Sequence, residues 1–244
     1  MRARTLQLPT FSAASPTRPA GFLDGVLDQD CALCAVASHR LVCDACENAL
    51  PRPRASCVRC AIALPAGDVC GECRRHPPRF DETVAAFEYR FPIDRLVQRF
   101  KYAGDLALGR WLAEQLAMRL ARADRPALVV VPPSSPERLR ERGFNPGLEI
   151  AKTVAARLRL RRSIDAVSRT RKTAPQPGLG RKARRRNLEG VFDCRLPLEG
   201  RHVAIVDDVL TTGATADAVA AVLRKAGAAR VSVWVVARTP EPRP

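Results

Sequence analysis

Eight of the nine cysteines in this 244-residue chain fall into four C-x2-C pairs: Cys31 and Cys34, Cys43 and Cys46, Cys57 and Cys60, Cys70 and Cys73. The gaps between pairs are eight, ten and nine residues. A C-x2-C step sets two thiolates on one tight knuckle, where they grip one edge of a tetrahedron. Two knuckles complete a closed four-sulfur site with no open position for catalysis. Eight thiolates make two such sites, and the expectation is two structural Zn2+. Pairing in chain order joins the first four cysteines and then the last four; an interleaved pairing meets the same spacing. Iron–sulfur ligation is a rival that the regular knuckle spacing disfavours. A disulfide framework calls for a secretory lead, and residues 1–30 hold no continuous apolar run. A redox C-x-x-C calls for a thioredoxin-like βαβ context that does not surround these pairs. A double ribbon has few core side chains, so its metal is its folding energy. Cys194 stands alone near an expected strand and reads as a buried thiol, and His39, His76 and His202 are not needed as ligands.

Beyond the cysteines the pattern changes. Apolar residues are 46% of the chain and aromatics only 5%, so the core is built mostly of Ala, Val and Leu. The apolar runs at 127–131 and 203–206 are far too short to cross a bilayer, which excludes membrane insertion and points to a cytoplasmic protein. Strands are expected at 83–91, 127–131, 203–206 and 231–237. Helices are expected at 92–101, 105–122, 146–158 and 215–226. The second of these carries Leu108, Leu112, Leu116 and Leu120 on one face. Strands alternating with helices make an α/β fold, a parallel sheet covered on both faces. The expected organisation is a poorly ordered lead at 1–30, a double zinc ribbon at 31–75, a stiff Pro-containing linker, and an α/β domain at 81–240. Residues 168–180 have no period and read as a mobile loop, and 181–189 as a short basic helix.

The formal net charge is +16, and 36 of the 41 bases are Arg, a bias that base composition alone can produce. The distribution says more. Residues 1–80 sum to +3, whereas 157–190 hold twelve bases against two acids. That stretch suits an anionic partner. It contains no aromatic residue, so it lacks the stacking platforms of sequence-tolerant single-strand binders.

The most informative stretch runs from Val203 to Thr215. A buried strand leads to Asp207 and Asp208, then to the small-residue turn Thr211-Thr212-Gly213-Ala214-Thr215, then to a helix. Ligands of open parallel sheets bind outside the carboxyl ends of the strands, where this turn lies. Its backbone N–H groups, three hydroxyls and a helix N-terminus suit a phosphate. The two acids would repel phosphate but accept from sugar hydroxyls. Together they read as a ribose-5-phosphate site. A Walker loop does not occur, and Gly178-x-Gly180 has no strand before it.

These residues closely resemble the PRPP-binding motif of type I phosphoribosyltransferases. Three further segments resemble ComF-type competence proteins: Arg99-Phe-Lys-Tyr-Ala-Gly-Asp105, Val131-Pro-Pro with Arg138-Leu-Arg-Glu-Arg-Gly-Phe-Asn145, and Arg169-x-Arg171 with Thr173, Gln176, Arg181 and Asn187. A double zinc ribbon ahead of the domain is also typical of that family. Pro133-Ser134-Ser135 is a departure, since relatives often carry a basic residue there.

The resemblance implies a type I phosphoribosyltransferase-like fold binding PRPP with Mg2+. Thr211, Thr212, Gly213, Ala214 and Thr215 would hold the 5-phosphate, and Asp207 and Asp208 the ribose hydroxyls beside the developing cation. Arg138, Arg140 and Arg142 would receive pyrophosphate, and Arg169, Arg171 and Lys172 would close over it as a hood. Lys101 is placed either to contact substrate or simply to flank a helix end. The implied role is natural transformation, handling imported single-stranded DNA alongside the DNA-uptake machinery, with Arg184, Arg185 and Arg186 as candidate DNA contacts. The alternative is an active PRPP-dependent transferase in nucleotide salvage or another pathway unrelated to competence.

Overall fold

The computed structural model describes residues 29–170, 188 and 190–240. The N-terminal lead, most of the expected mobile loop and the basic helix lie outside the described residues, and with them Arg171, Lys172, Arg184, Arg185 and Arg186. The cysteine segment contributes β1 (Gln29–Asp30), β2 (Ala37–Ser38), α1 (Asp44–Asn48) and α2 (Gly71–Arg75). Then come β3 (Glu82–Glu88), α3 (Ile93–Tyr102), α4 (Leu106–Arg119), β4 (Leu128–Val130), α5 (Pro136–Arg142) and α6 (Pro146–Leu158). The chain continues through β5 (Arg162–Ser163), β6 (Val167–Arg169), β7 (Phe192–Cys194), β8 (His202–Leu210), α7 (Ala214–Lys225) and β9 (Arg230–Arg238).

Five strands form one sheet in the order β3-β9-β8-β4-β5, every neighbour parallel. Strands buried on both faces need apolar residues at every position, which explains the unbroken runs in β8 and β9. Successive side chains alternate between faces. Ala204, Val206, Trp234 and Val236 pack with Leu112, Leu116, Ile150 and Val154 of α4 and α6. Val203, Ile205, Val231 and Val233 pack with Val219, Ala220 and Leu223 of α7. The leucine face of α4 is buried throughout.

Two expectations change. β8 does not stop before the acid pair: it is laddered to β9 through Asp207↔Val235, Val209↔Ala237 and Leu210↔Arg238. The backbone ladder carries the strand past a position where side-chain hydropathy says it should end. Ser168 and Arg169 are not loop but part of β6, paired antiparallel with β7 at Ser168↔Asp193 and Arg169↔Phe192. Val167 and Phe192 are buried in the α7-side core, an anchor too short to show as a period.

The cysteine module is not a free appendage. β3 is an edge strand, and an open edge leaves backbone groups unpaired. Here the Thr83 and Glu88 N–H groups donate to Val58 O and Pro51 O, both at 2.8 Å. Val42 and Leu50 enter the α4/α6-side core. Arg52 donates to Gln115 Oε1 at 2.7 Å and lies 4.9 Å from the centroid of the Phe87 ring.

Candidate functional site

The carboxyl end of β8 meets the start of α7 through Thr211, Thr212 and Gly213. Gly213 sits at φ 77°, a left-handed conformation that costs a side-chain-bearing residue energy. It is the N-cap of α7 and no side chain caps that end, so the helix N-terminus is left to an external acceptor. The Thr212 hydroxyl approaches Ala214 N at 3.4 Å. Thr211 is exposed and Thr212 and Thr215 are half-buried, so the three hydroxyls border the turn.

Asp208 is 8% exposed and takes an ion pair from Lys101 Nζ at 2.8 Å. Lys101 reaches it because of its own motif. Arg99 Nη2 holds Asp105 Oδ2 at 2.9 Å, and Asp105 Oδ1 caps α4 by accepting from Leu108 N at 3.1 Å. The turn from α3 to α4 is thereby closed, and Lys101 points at the acid pair. Arg99 also donates to Ala32 O at 3.1 Å, tying this turn to the first cysteine knuckle.

Asp207 lies against the start of α6, where a Cβ on Gly147 would stand 3.3 Å from its Oδ1. Burial, then the charge of Asp208, pushes Asp207 up to about 7 despite Lys101 and Arg138 nearby. An acid raised in this way is protonated below pH 7 and presents a full carboxylate, the stronger acceptor, to hydroxyls only above it. Affinity for a ribose-bearing ligand is therefore expected to rise as pH climbs through about 7. In Asp208→Asn the rise should move to lower pH, because the neighbouring negative charge is gone. Calorimetry at stepped pH reads this, and an unmoved midpoint would refute it.

The three arginines of α5 diverge. Arg138 is close enough to Asp207 and Arg169 for its charge to act on both. Arg140 leans to Glu137 at 3.9 Å, exposed to solvent. Arg142 turns onto Tyr102, its Cζ 4.9 Å from the ring centroid and Nη2 donating to the phenol oxygen at 3.1 Å. Arg169 lies over Phe192 at 5.3 Å, and burial together with the Arg138 charge lowers it below the usual arginine range. The charge of Glu137 acts on Arg169 in the opposite sense to that of Arg138.

Sequence reasoning passed over the brace beneath this turn. Asn145 caps α6 by accepting from Gly147 N at 3.1 Å and donates to Pro132 O at 3.2 Å, while Phe144 meets Phe100 at 5.4 Å. It also passed over Arg238, 4% exposed at the end of β9, whose Nη1 lies 2.7 Å from Thr211 O and 3.1 Å from Leu210 O. An arginine closing a valine run was the available signal. A cavity of about 470 Å3 between Arg79, Phe192, Asp217 and Val222 lies on the outer side of α7, and neither acid of the pair lines it.

The cysteines gather in chain order into two tetrads, Cys31, Cys34, Cys43, Cys46 and Cys57, Cys60, Cys70, Cys73, each with its sulfurs within 4.8 Å of one another. Cys34 Sγ and Cys43 Sγ are 3.7 Å apart, as are those of Cys60 and Cys70. Tetrahedral zinc with bonds of about 2.3 Å spaces its sulfurs by about 3.8 Å. The Cys43 and Cys70 N–H groups donate to Cys31 Sγ and Cys57 Sγ at 3.3 Å. Against the opposing effect of burial, such donors bring Cys31 down to about 6, while the thiol of Cys34 heads the causes that push Cys46 up to about 12. Four sulfurs this close ionise together only around a cation. Both tetrads can hold a metal ion.

Residues 145–244 match the family model described as "Phosphoribosyl transferase domain". The chain is 32% identical to the DNA utilization protein YhgH of Escherichia coli K12 over 216 residues, 86% of this chain and 95% of that one. It is 32% identical to competence protein F of Haemophilus influenzae over 178 residues, 69% and 78% of the two chains. It is 25% identical to competence protein ComFC of Bacillus subtilis over 212 residues, 81% and 84%.

Proposed function

We propose, from the fact that this chain belongs to the ComF family, that it binds PRPP and serves the handling of imported single-stranded DNA in natural transformation. The observation that carries the reading is one junction: β8 delivers Asp207 and Asp208 to a Thr/Gly turn at an uncapped helix N-terminus, with Lys101 bound to the acid pair. Thr211, Thr212, Gly213, Ala214 and Thr215 take the 5-phosphate. Asp207 and Asp208 accept from the ribose hydroxyls, with Lys101 orienting Asp208. Arg138 and Arg169 take the pyrophosphate, joined from outside the described residues by Arg171 and Lys172.

Transfer of a phosphoribosyl group passes through a ribosyl cation-like state and needs no covalent nucleophile. The chain has to hold both phosphates apart, keep the acids beside the sugar, and exclude water. Mg2+ arriving with PRPP would neutralise the leaving pyrophosphate, next to Arg138 and Arg169. The two cysteine tetrads hold structural Zn2+, in a ribbon module at 31–75 ahead of a PRPP-binding domain at 81–240. Among the described residues no helix is long and apolar enough to cross a membrane.

Calorimetric titration of Mg2+ and PRPP into the whole protein tests the reading. Micromolar binding is expected. A wild-type chain that takes up no PRPP would refute it. Single-stranded DNA binding is a separate arm: a steep loss of affinity with salt is expected if backbone phosphates are contacted, reduced when Arg184, Arg185 and Arg186 are neutralised.

A further inference from the structure

The second cysteine tetrad is bonded to the phosphate turn through one buried side chain. Three successive carbonyls of the Cys57–Cys60 knuckle are taken by the sheet domain. Val58 O accepts from Thr83 N at 2.8 Å, Arg59 O from Thr83 Oγ1 at 2.5 Å, and Cys60 O from Arg238 Nε at 2.7 Å. The same guanidinium turns its Nη1 to Leu210 O at 3.1 Å, Thr211 O at 2.7 Å and Thr239 O at 2.7 Å. One planar cation thus spans the metal knuckle on one side and the first residues of the turn on the other.

Two more contacts bring the module to the same turn. A cavity of about 30 Å3 is bordered by Cys60, Cys73, Thr212, Gly213 and Arg238 together, so sulfur ligands and turn residues share one wall. Just past the last knuckle, Arg79 N donates to Asp217 Oδ1 at 2.7 Å, in the first turn of α7. Among the described residues the first tetrad has no such link to the turn. Its attachments run to α3 and α4, through Ala32 O with Arg99 and Glu47 with Gln115.

We infer that Arg238 is a positioning residue through which the metal-loaded second tetrad sets the phosphate turn, so that losing that metal weakens binding of the 5-phosphate and not of the pyrophosphate. The inference rests on the PRPP reading above and adds a dependence that reading does not contain. The physical reason lies in the backbone carbonyls. Thr211 O and Leu210 O point at Arg238, and a peptide plane whose carbonyl is held has its neighbouring N–H groups aimed as well. A guanidinium can hold Cys60 O and Thr211 O at once because its donors lie in a rigid fork; a lysine ammonium is a point charge without that reach. The knuckle stays in place only while its sulfurs are gathered, since the cluster around them consists largely of the cysteines themselves.

The test uses the full chain and two probes by calorimetry, ribose 5-phosphate and magnesium pyrophosphate. Arg238→Met should weaken ribose 5-phosphate by about tenfold or more, the scale of a lost buried charge-assisted hydrogen bond, and leave pyrophosphate within about twofold. Cys70→Ser/Cys73→Ser should reproduce that selective loss, and Cys43→Ser/Cys46→Ser should not. Should Arg238→Met lose both probes through misfolding, Arg238→Lys decides, and is expected to keep pyrophosphate and bind ribose 5-phosphate weakly. Unchanged ribose 5-phosphate affinity in a folded Arg238 variant overturns the inference alone, as does equal loss from the two cysteine pairs. A wild-type chain that binds neither probe overturns the PRPP reading and this inference with it.

Discussion

Replacing Asp207 and Asp208 together by asparagine is expected to weaken PRPP binding by about 100-fold or more. A hydrogen bond to a charged group contributes about 1.5–3 kcal/mol, and above about pH 7, where Asp207 is ionised, two charged acceptors facing the ribose would become neutral amides. Each 1.4 kcal/mol is about tenfold in affinity, so even the lower bound reaches two decades. A second consequence acts through Lys101, which would lose the charge of the partner it now meets at 2.8 Å. The control is magnesium pyrophosphate, a ligand with no sugar. Its affinity should hold or improve, because negative charge has been removed from beside an anion site. Equal loss of PRPP and pyrophosphate would show a general collapse, and unchanged PRPP affinity would remove the acids from the sugar site. The expected effect is asymmetric because, in the proposed site, the acids accept from the sugar and repel the phosphates on either side of it.

Stripping metal from both tetrads is expected to unfold the cysteine module while the parallel sheet persists. Structural zinc in small domains contributes about 10–16 kcal/mol of apparent binding energy, comparable to the whole stability of a typical domain, about 5–15 kcal/mol. The module has little else to stand on: around the second tetrad the buried side chains are Cys57, Cys60, Cys70, Cys73 and Ile62, with Leu64 and Val69 partly covered. Elemental analysis of anaerobically purified protein should find two metals per chain. After chelation, the Thr83 and Glu88 amides should exchange rapidly, because the carbonyls of Val58 and Pro51 that receive them belong to the module. The freed edge of β3 should also promote self-association. Slow exchange at both amides after complete metal removal would show that the module folds without it.

The parts of this protein legible in the sequence are those written in local chemistry. Four knuckles at regular spacing specify two tetrads whichever way they pair. A strand, an acid pair and a Thr/Gly turn mark a candidate phosphate site at the carboxyl end of a strand, since each piece lies within a dozen residues of the next. The leucine face of α4 and the valine runs of β8 and β9 specify burial through their period, or their lack of one.

Tertiary structure decided what distant residues do to one another. Chain-order pairing of the tetrads followed from where the knuckles come to rest on β3 and the α3–α4 turn. Lys101 had two readings in the sequence, a substrate contact or a helix flank; the fold brings its Nζ to Asp208, a partner neither reading named. The arginines of α5 looked equivalent along the chain, but Arg142 turns onto Tyr102, Arg140 leans to Glu137, and the charge of Arg138 acts on Asp207 and Arg169. Arg238 carried no motif, and the role proposed for it arises only where β9 ends between the Cys57–Cys60 knuckle and the Thr/Gly turn. Spacing along a chain encodes what a short segment can chelate, cap or bury. Which charge is neutralised, and by what, depends on contacts between residues more than a hundred positions apart, and those are set only when the sheet closes.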